Sequence, residues 1–189
     1  MKIVKIALLA VAAGVAAILL IAATRPDTFT VQRSATIQAP AQTVHALIED
    51  FKRWDAWSPW EKKDPAMKRT FGAITRGKGA TYAWEGNGEV GQGRMEIVDS
   101  VSPSKVAIQL DFVEPFETHS SVLFALVPSG QGTDVTWTMQ GGVPYLAKIV
   151  HMFLDMDRMV GKDFETGLAN LKLAAERQAA GAANVETKR

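Results

Sequence analysis

The sequence offers few residues whose types and spacing suit nucleophilic or metal-dependent catalysis. It contains no Cys, so a thiolate nucleophile is excluded. A Gly-x-Ser-x-Gly motif is absent, and Ser129-Gly130-Gln131-Gly132 is typical of a turn. The three histidines, His45, His119 and His151, have no spacing that favours a zinc site. We therefore expect neither a metal nor a cofactor.

General acid–base chemistry by strand residues is the remaining catalytic possibility. The candidates are Tyr82, Arg94, Asp111 and His119, and an enzyme would need two of them as a polar pair facing a cavity. Strand alternation assigns Arg94 and Asp111 to the outer face of a sheet and sets His119 opposite the face of Phe124. We therefore expect no catalytic residue in this set.

A basic region with interleaved tryptophans follows in the segment from Lys52 to Lys78. Its basic residues outnumber its acidic ones, and Trp54, Trp57 and Trp60 lie within it. One interpretation is a surface that contacts anionic lipid headgroups. The interpretation we favour is a solvated loop whose tryptophans pack over the mouth of a cavity.

The elements that position these residues follow from apolar periodicity. Alternation predicts a strand over Phe29–Ile37, Pro40 begins a helix, and a meander of antiparallel strands follows. From about Pro144 the period becomes helical, and the apolar stripe comprises Leu146, Ile149, Phe153, Met156, Val160, Phe164, Leu168 and Leu171. The predicted fold class is α+β, with a curved antiparallel sheet wrapped around a long C-terminal helix.

An uncharged segment, Ile6–Ala23, precedes this domain. As a helix it spans about 27 Å, close to the thickness of a bilayer core. Lys2 and Lys5 favour a cytoplasmic N-terminus and a domain on the periplasmic or external side of the inner membrane. Ile21-Ala22-Ala23 is a passable cleavage site, so secretion after signal cleavage is the alternative.

The order of these pieces resembles the START-like, or SRPBCC, superfamily, and most closely its polyketide cyclase/dehydrase and lipid-transport-related branch. The resemblance covers residues 28–176. It rests on Ile37-Gln38-Ala39-Pro40, the segment from Trp54 to Trp60, Gly77-Lys78-Gly79 with Trp84, the segment from Gly132 to Trp137, and the segment from Gly161 to Leu171. It implies a helix-grip fold with a deep cavity between the sheet and the C-terminal helix.

Candidate cavity residues follow from strand phase and from the helical stripe. Those that we expect to border a bound ligand are Tyr82, Trp84, Met95, Ile108, Leu110, Phe112, Trp137, Met139, Phe153, Met156 and Val160. Ile97, Phe124 and Leu126 share their phase. Many members of this set serve simply as core.

The predicted function is that of a membrane-tethered binding protein for a hydrophobic small molecule or lipid. A cyclase/dehydrase-type enzyme and a stress-related protein-interaction domain are the alternatives. The predicted division is an anchor or signal segment (1–25), a START-like domain (26–178) and a disordered tail (179–189). Removing residues 1–25 takes away three of the 21 basic residues and none of the 20 acidic ones, so no nucleic-acid partner is expected.

Overall fold

The computed structural model describes residues 2–114, 117–151 and 155–186. Its helices and strands are α1 (Lys2–Ala23), β1 (Thr28–Ile37), α2 (Ala41–Ile48), a 3₁₀ helix (Phe51–Ala56), α3 (Trp60–Lys63), β2 (Lys68–Phe71), β3 (Thr81–Glu85), β4 (Gln92–Val101), β5 (Lys105–Glu114), β6 (Thr118–Ser129), β7 (Gly132–Gly142), α4 (Tyr145–His151) and α5 (Met156–Glu186). The α+β class is confirmed.

Seven strands form a single curved antiparallel sheet in the order β1-β7-β6-β5-β4-β3-β2. The alternation that predicted β5 is confirmed, because Val106, Ile108 and Leu110 are buried and the residues between them are partly exposed. One face of the sheet therefore carries the core, and helices α2 and α5 cover that face, as in a helix-grip fold.

The C-terminal helical region is two helices, whereas the apolar stripe predicted one. Asp155 explains the start of the second helix, since its Oδ1 accepts a 3.0 Å hydrogen bond from the backbone N–H of Arg158. The stripe is maintained within α5, where Phe164, Leu168, Leu171 and Ala175 are buried.

Helix α5 continues to Glu186, within the segment 179–189 for which the sequence predicts a disordered tail. This segment is rich in Ala, the residue with the highest helix propensity, and extending an existing helix avoids the cost of nucleation. An apolar period is therefore not needed to keep it helical. Residues 187–189 lie outside the described part of the chain.

An aromatic cluster packs between the sheet and the helices. The rings of Trp137 and Phe164 stack with centroids 4.0 Å apart, and Phe124 lies 4.8 Å from Trp137. Trp54 and Trp57 are buried in the same cluster, and their indole N–H groups donate to backbone carbonyls of α2. These two rings therefore belong to the core rather than to a lipid-binding surface.

Candidate functional site

The predicted cavity residues on the strands share one face of the sheet. The buried members of the set are Tyr82, Trp84, Met95, Ile97, Ile108, Leu110, Phe124, Leu126, Trp137 and Met139. Phe112, Met156 and Val160 are partly buried, and Phe153 lies outside the described residues. Strand register sets Met95 beside Tyr82 on one side and Leu110 on the other, so these side chains form a continuous apolar row.

Exposure differs slightly along this face. Ile97 and Phe124 have no exposed surface. Trp84 and Leu110 each remain 8% exposed, and Met95 remains 9% exposed. Exposure therefore rises slightly toward the ends of β3 and β5, away from the ring stack.

A cleft of about 570 Å³ opens beside Tyr82, between the 3₁₀ helix, the α3–β2 connection and β2. Its lining residues are Phe51, Lys52, Asp55, Glu61, Pro65, Arg69 and Phe71. None of the predicted cavity residues lines it. Sequence patterning missed this cleft because β2 has only four residues and its apolar alternation is too short to recognise.

A charged network forms the inner wall of the cleft. The Nε of Arg69 donates to Oε2 of Glu61 at 2.6 Å, and the hydroxyl of Tyr82 donates to Oε1 of Glu61 at 2.7 Å. Nη1 of Arg69 also donates to the carbonyl of Met67 at 2.6 Å. The Glu61 side chain is only 9% exposed, so its carboxylate is buried with both oxygens satisfied.

The environment stabilises the protonated forms of both hydrogen-bond donors in this network. Burial, with the bond to Glu61 second, raises the pKa of Tyr82 well above its usual value. The bond to Glu61 raises the pKa of Arg69. The network is therefore a neutral, proton-retaining wall at physiological pH, and this arrangement suits recognition of a ligand better than proton transfer.

Aromatic rings line the cleft beside this wall. The ring centroid of Tyr82 lies 5.8 Å from that of Phe51 and 5.2 Å from that of Phe71. Lys52 and Asp55, on the 3₁₀ helix, provide charged groups at the rim. The cleft thus offers apolar ring surface, a neutral polar wall and a charged rim, which together match an amphipathic molecule.

The family of the chain follows from comparison with known proteins. Residues 28–176 match the model of the "Polyketide cyclase / dehydrase and lipid transport" family. The chain belongs to this family. The match begins at the first strand and ends within α5, so it covers the sheet, the cleft and the buried part of that helix.

Solved structures show the same fold at low sequence identity. A Thermobifida fusca protein aligns at 21% identity with a TM-score of 0.58, over 78% of this chain and 93% of its own. The Aha1 dimer of Colwellia psychrerythraea aligns at 16% identity with a TM-score of 0.56, over 78% of this chain and 96% of its own. The di-domain ARO/CYC StfQ from the steffimycin biosynthetic pathway aligns at 9% identity with a TM-score of 0.58, over 81% of this chain and 52% of its own. No curated protein matches the chain significantly.

The other candidates for acid–base chemistry, Arg94, Asp111 and His119, lie on the outer face of the sheet. Asp111 lies between Arg94 and His119 in register, and its carboxylate binds His119 Nδ1 at 2.7 Å and Arg94 Nε at 3.1 Å. His119, followed by Gln109 and Arg94, lowers the pKa of Asp111. The predicted outer position of Arg94 and Asp111 is confirmed, and this trio is separated from Tyr82 by the sheet.

Metal chemistry finds no support in the described ranges. Within residues 2–114, 117–151 and 155–186, no group of three or more His, Asp or Glu side chains is arranged to hold a metal ion. His45 is buried against the carbonyl of Lys105 and the hydroxyl of Ser100, each 3.3 Å from its Nε2. It is a core residue that supports α2 against β4 and β5.

Among the residues that the structure describes, one buried polar side chain is left unsatisfied by its neighbours. In the described part of the chain, the indole Nε1 of Trp137 is a buried donor without an acceptor. Such a group costs about 1–3 kcal/mol when it is buried unpaired. An oxygen atom brought there by water or by a ligand would recover that free energy.

An apolar helix precedes the family domain. The side chains of α1 are exposed along its length except at Ala22, and the helix is long and apolar enough to cross a membrane. A helix that is apolar on every side finds no favourable surface in water. This feature is compatible with a membrane anchor and with a signal sequence.

Proposed function

We propose that this protein is a membrane-tethered binding protein for a hydrophobic small molecule or lipid. The observation that carries the proposal is the cleft of about 570 Å³, with its aromatic lining and its self-neutralised Tyr82–Glu61–Arg69 wall. Its volume lies within the range of about 300–1,000 Å³ that is common for small-molecule sites.

Tyr82 connects the cleft to the rest of the apolar face. Its hydroxyl points to Glu61 at the cleft, while its neighbour in register on β4 is Met95, a buried residue of the apolar face. A ligand whose polar end lies at Lys52 has the apolar rings of Phe51 and Phe71 available within the cleft. Burial of its apolar area stabilises the complex by about 25 cal/mol per Å², less the cost of immobilisation.

A cyclase or dehydrase activity is the second candidate function. It is favoured by one observation, since Tyr82 and Glu61 are a polar pair beside the cleft. Binding is preferred because Glu61 already accepts bonds at both oxygens and because the raised pKa of Tyr82 retains its proton. Turnover of a bound molecule by wild type, abolished in Tyr82→Phe with binding retained, would favour the enzyme.

The tether in this proposal is α1, with its N-terminus in the cytoplasm. Lys2 and Lys5 lie on the cytoplasmic flank of the apolar segment, and the family domain follows on the other side of the inner membrane. A carrier held at a bilayer in this way encounters hydrophobic molecules at high local concentration.

Native mass spectrometry of the full chain, purified in mild detergent, tests the binding proposal. Asp55→Trp places an indole in the cleft, and Gln131→Trp places the same side chain on an exposed turn as a matched control. We expect a co-purified hydrophobic molecule in wild type and Gln131→Trp and its loss in Asp55→Trp. Ligand-free spectra for wild type, together with no lipid-dependent rise in melting temperature, would refute the proposal.

A further inference from the structure

The short helix α4 is joined to the apolar helix rather than to the sheet core. The hydroxyl of Tyr145, in its first turn, donates a 2.6 Å hydrogen bond to the carbonyl of Leu19 in α1. Leu19 lies four residues before the end of α1, which corresponds to about 6 Å along the helix axis. One end of α4 therefore reaches the level of the last turn of the apolar segment.

Lys148 joins α4 to the connection between α1 and β1, and together with the Tyr145–Leu19 contact it forms the junction of the domain with the apolar helix. Its ammonium donates to the carbonyl of Arg25 at 2.9 Å and pairs with the carboxylate of Asp27, although the residue is only 6% exposed. The backbone N–H of Val143 donates to the carbonyl of Asp27 at 2.7 Å. The connection from α1 to β1 is thus held at several points, and α4 is oriented with respect to α1.

We propose that α4 is an interfacial helix that lies in the headgroup region of the bilayer that α1 spans. This inference rests on the proposed tether, and it deepens that proposal by naming the surface of the domain that contacts lipid. Tyr145, which is 43% exposed, lies at the depth where amphipathic aromatic side chains are enriched. Its ring contacts the acyl boundary while its hydroxyl remains bonded to Leu19.

Strand register shows which end of the sheet this contact brings to the membrane. β1 begins at Thr28 opposite Gly142, so the ends of β3 and β5 lie on the same side as the junction. Glu85, Glu114 and Glu117 are exposed at this end. An anionic bilayer repels these carboxylates, so the contact is confined to α4.

The end of the sheet that faces the bilayer carries two of the predicted cavity residues. Trp84 lies near the end of β3, and Phe112 lies near the end of β5, both toward the junction.

Depth-dependent fluorescence quenching in nanodiscs tests this orientation, and the absence of native Cys makes single labels unambiguous. The full chain carries one fluorophore at Ala147→Cys in α4, at Val11→Cys in α1 or at Gln131→Cys in the distant β6–β7 turn. The discs contain phosphatidylcholine and phosphatidylglycerol with spin-labelled lipid. We expect shallow spin labels to quench Ala147→Cys at least about twofold more than Gln131→Cys, and deep labels to quench Val11→Cys most.

Replacing the junction residues in the labelled chain gives a second measurement. Tyr145→Phe with Lys148→Met should lower the quenching of Ala147→Cys to the level of Gln131→Cys, whereas the matched control Lys172→Met should leave it unchanged. Equal quenching at Ala147→Cys and Gln131→Cys, with Val11→Cys still quenched from the bilayer centre, would overturn the inference and leave the tether intact. Loss of lipid quenching at Val11→Cys would overturn the tether as well.

Discussion

The hydroxyl of Tyr82 donates a 2.7 Å hydrogen bond to Oε1 of Glu61, and this contact joins the apolar face of the sheet to the wall of the cleft. The same carboxylate accepts a 2.6 Å bond from Arg69. Two strands and helix α3 therefore meet at one buried carboxylate. Removing its charge leaves the Arg69 guanidinium without its partner, a change that costs more than the loss of one neutral hydrogen bond.

Titration of Tyr82 should show this coupling directly. Burial and the bond to Glu61 raise its pKa, so the phenol should ionise well above the usual value of about 10. The folded state holds this proton more tightly than the unfolded state. Its contribution to stability is therefore complete below about pH 10 and is lost as pH rises toward the folded pKa. Ultraviolet absorbance of the phenolate, recorded as a function of pH, measures the transition.

Glu61→Gln should lower the pKa of Tyr82 toward its usual value without restoring it, because burial is the larger cause of the shift. It should also reduce the free energy of unfolding by about 2 kcal/mol, the range for hydrogen bonds to charged groups. Tyr145 is the other tyrosine, so both titrations are made in a Tyr145→Phe background. An unchanged Tyr82 transition in Glu61→Gln would show that the bond does not hold the phenol proton.

The parts of this fold that sequence predicts are those in which one side of an element is uniformly apolar. Val106, Ile108 and Leu110 alternate because one face of β5 meets the core, so that strand is readable without a structure. β2 is not readable in this way, since its four residues include Lys68 and Arg69. Pairing with β3 imposes its extended conformation, so the cleft that β2 borders also depends on a tertiary contact.

The break between α4 and α5 was hidden from sequence for a different reason. The apolar period continues across it, whereas the helix start depends on one side-chain oxygen of Asp155. The buried state of Glu61 was similarly invisible, because Arg69 and Tyr82 reach it only after β2 and β3 have paired. Periodicity predicts which face is buried, but not which charges meet there.

The outer-face carboxylate of Asp111 should give a measurable acid dependence of stability. His119, Gln109 and Arg94 lower its pKa in the folded state. Its contribution is therefore present above the unfolded value of about 4 and is lost as pH falls through the lower folded value. Asp111→Asn should reduce the free energy of unfolding by about 1 kcal/mol at neutral pH, and the difference from wild type should shrink below pH 4.

Urea unfolding followed by tryptophan fluorescence at several pH values measures this difference. Glu114→Gln, at the exposed end of the same strand, is the matched control and should alter stability little at any pH. A deficit in Asp111→Asn that stays constant from neutral to strongly acidic pH would show that the ionised carboxylate contributes nothing.

Two glycines of α5 should respond in opposite directions to the same substitution. A Cβ at Gly167 would lie 2.8 Å from Cζ3 of Trp137 and 3.2 Å from Cδ of Pro59, so Gly167→Ala must displace the ring stacked on Phe164. We expect a loss of about 1–3 kcal/mol in the free energy of unfolding.

A Cβ at Gly181 would meet no atom within 4 Å, so Gly181→Ala should stabilise the helix by up to about 1 kcal/mol. Urea unfolding of the two variants under identical conditions tests the pair, and a change of the same sign in both would contradict the packing described for Trp137.

The state of the N-terminal segment decides whether the proposed binding protein is held at a membrane or released from it. If α1 remains attached, the intact mass of the purified protein matches the full chain and the protein resists extraction from membranes by alkaline carbonate. Val15→Arg should then reduce the membrane-bound fraction severalfold, because a charge at the centre of an 18-residue apolar span costs about 3 kcal/mol. Glu89→Arg, on an exposed turn of the domain, introduces the same side chain and should leave fractionation unchanged.

A mature N-terminus following Ala23 would instead establish a cleaved signal, and it would also remove Leu19, the residue on which the orientation of α4 depends.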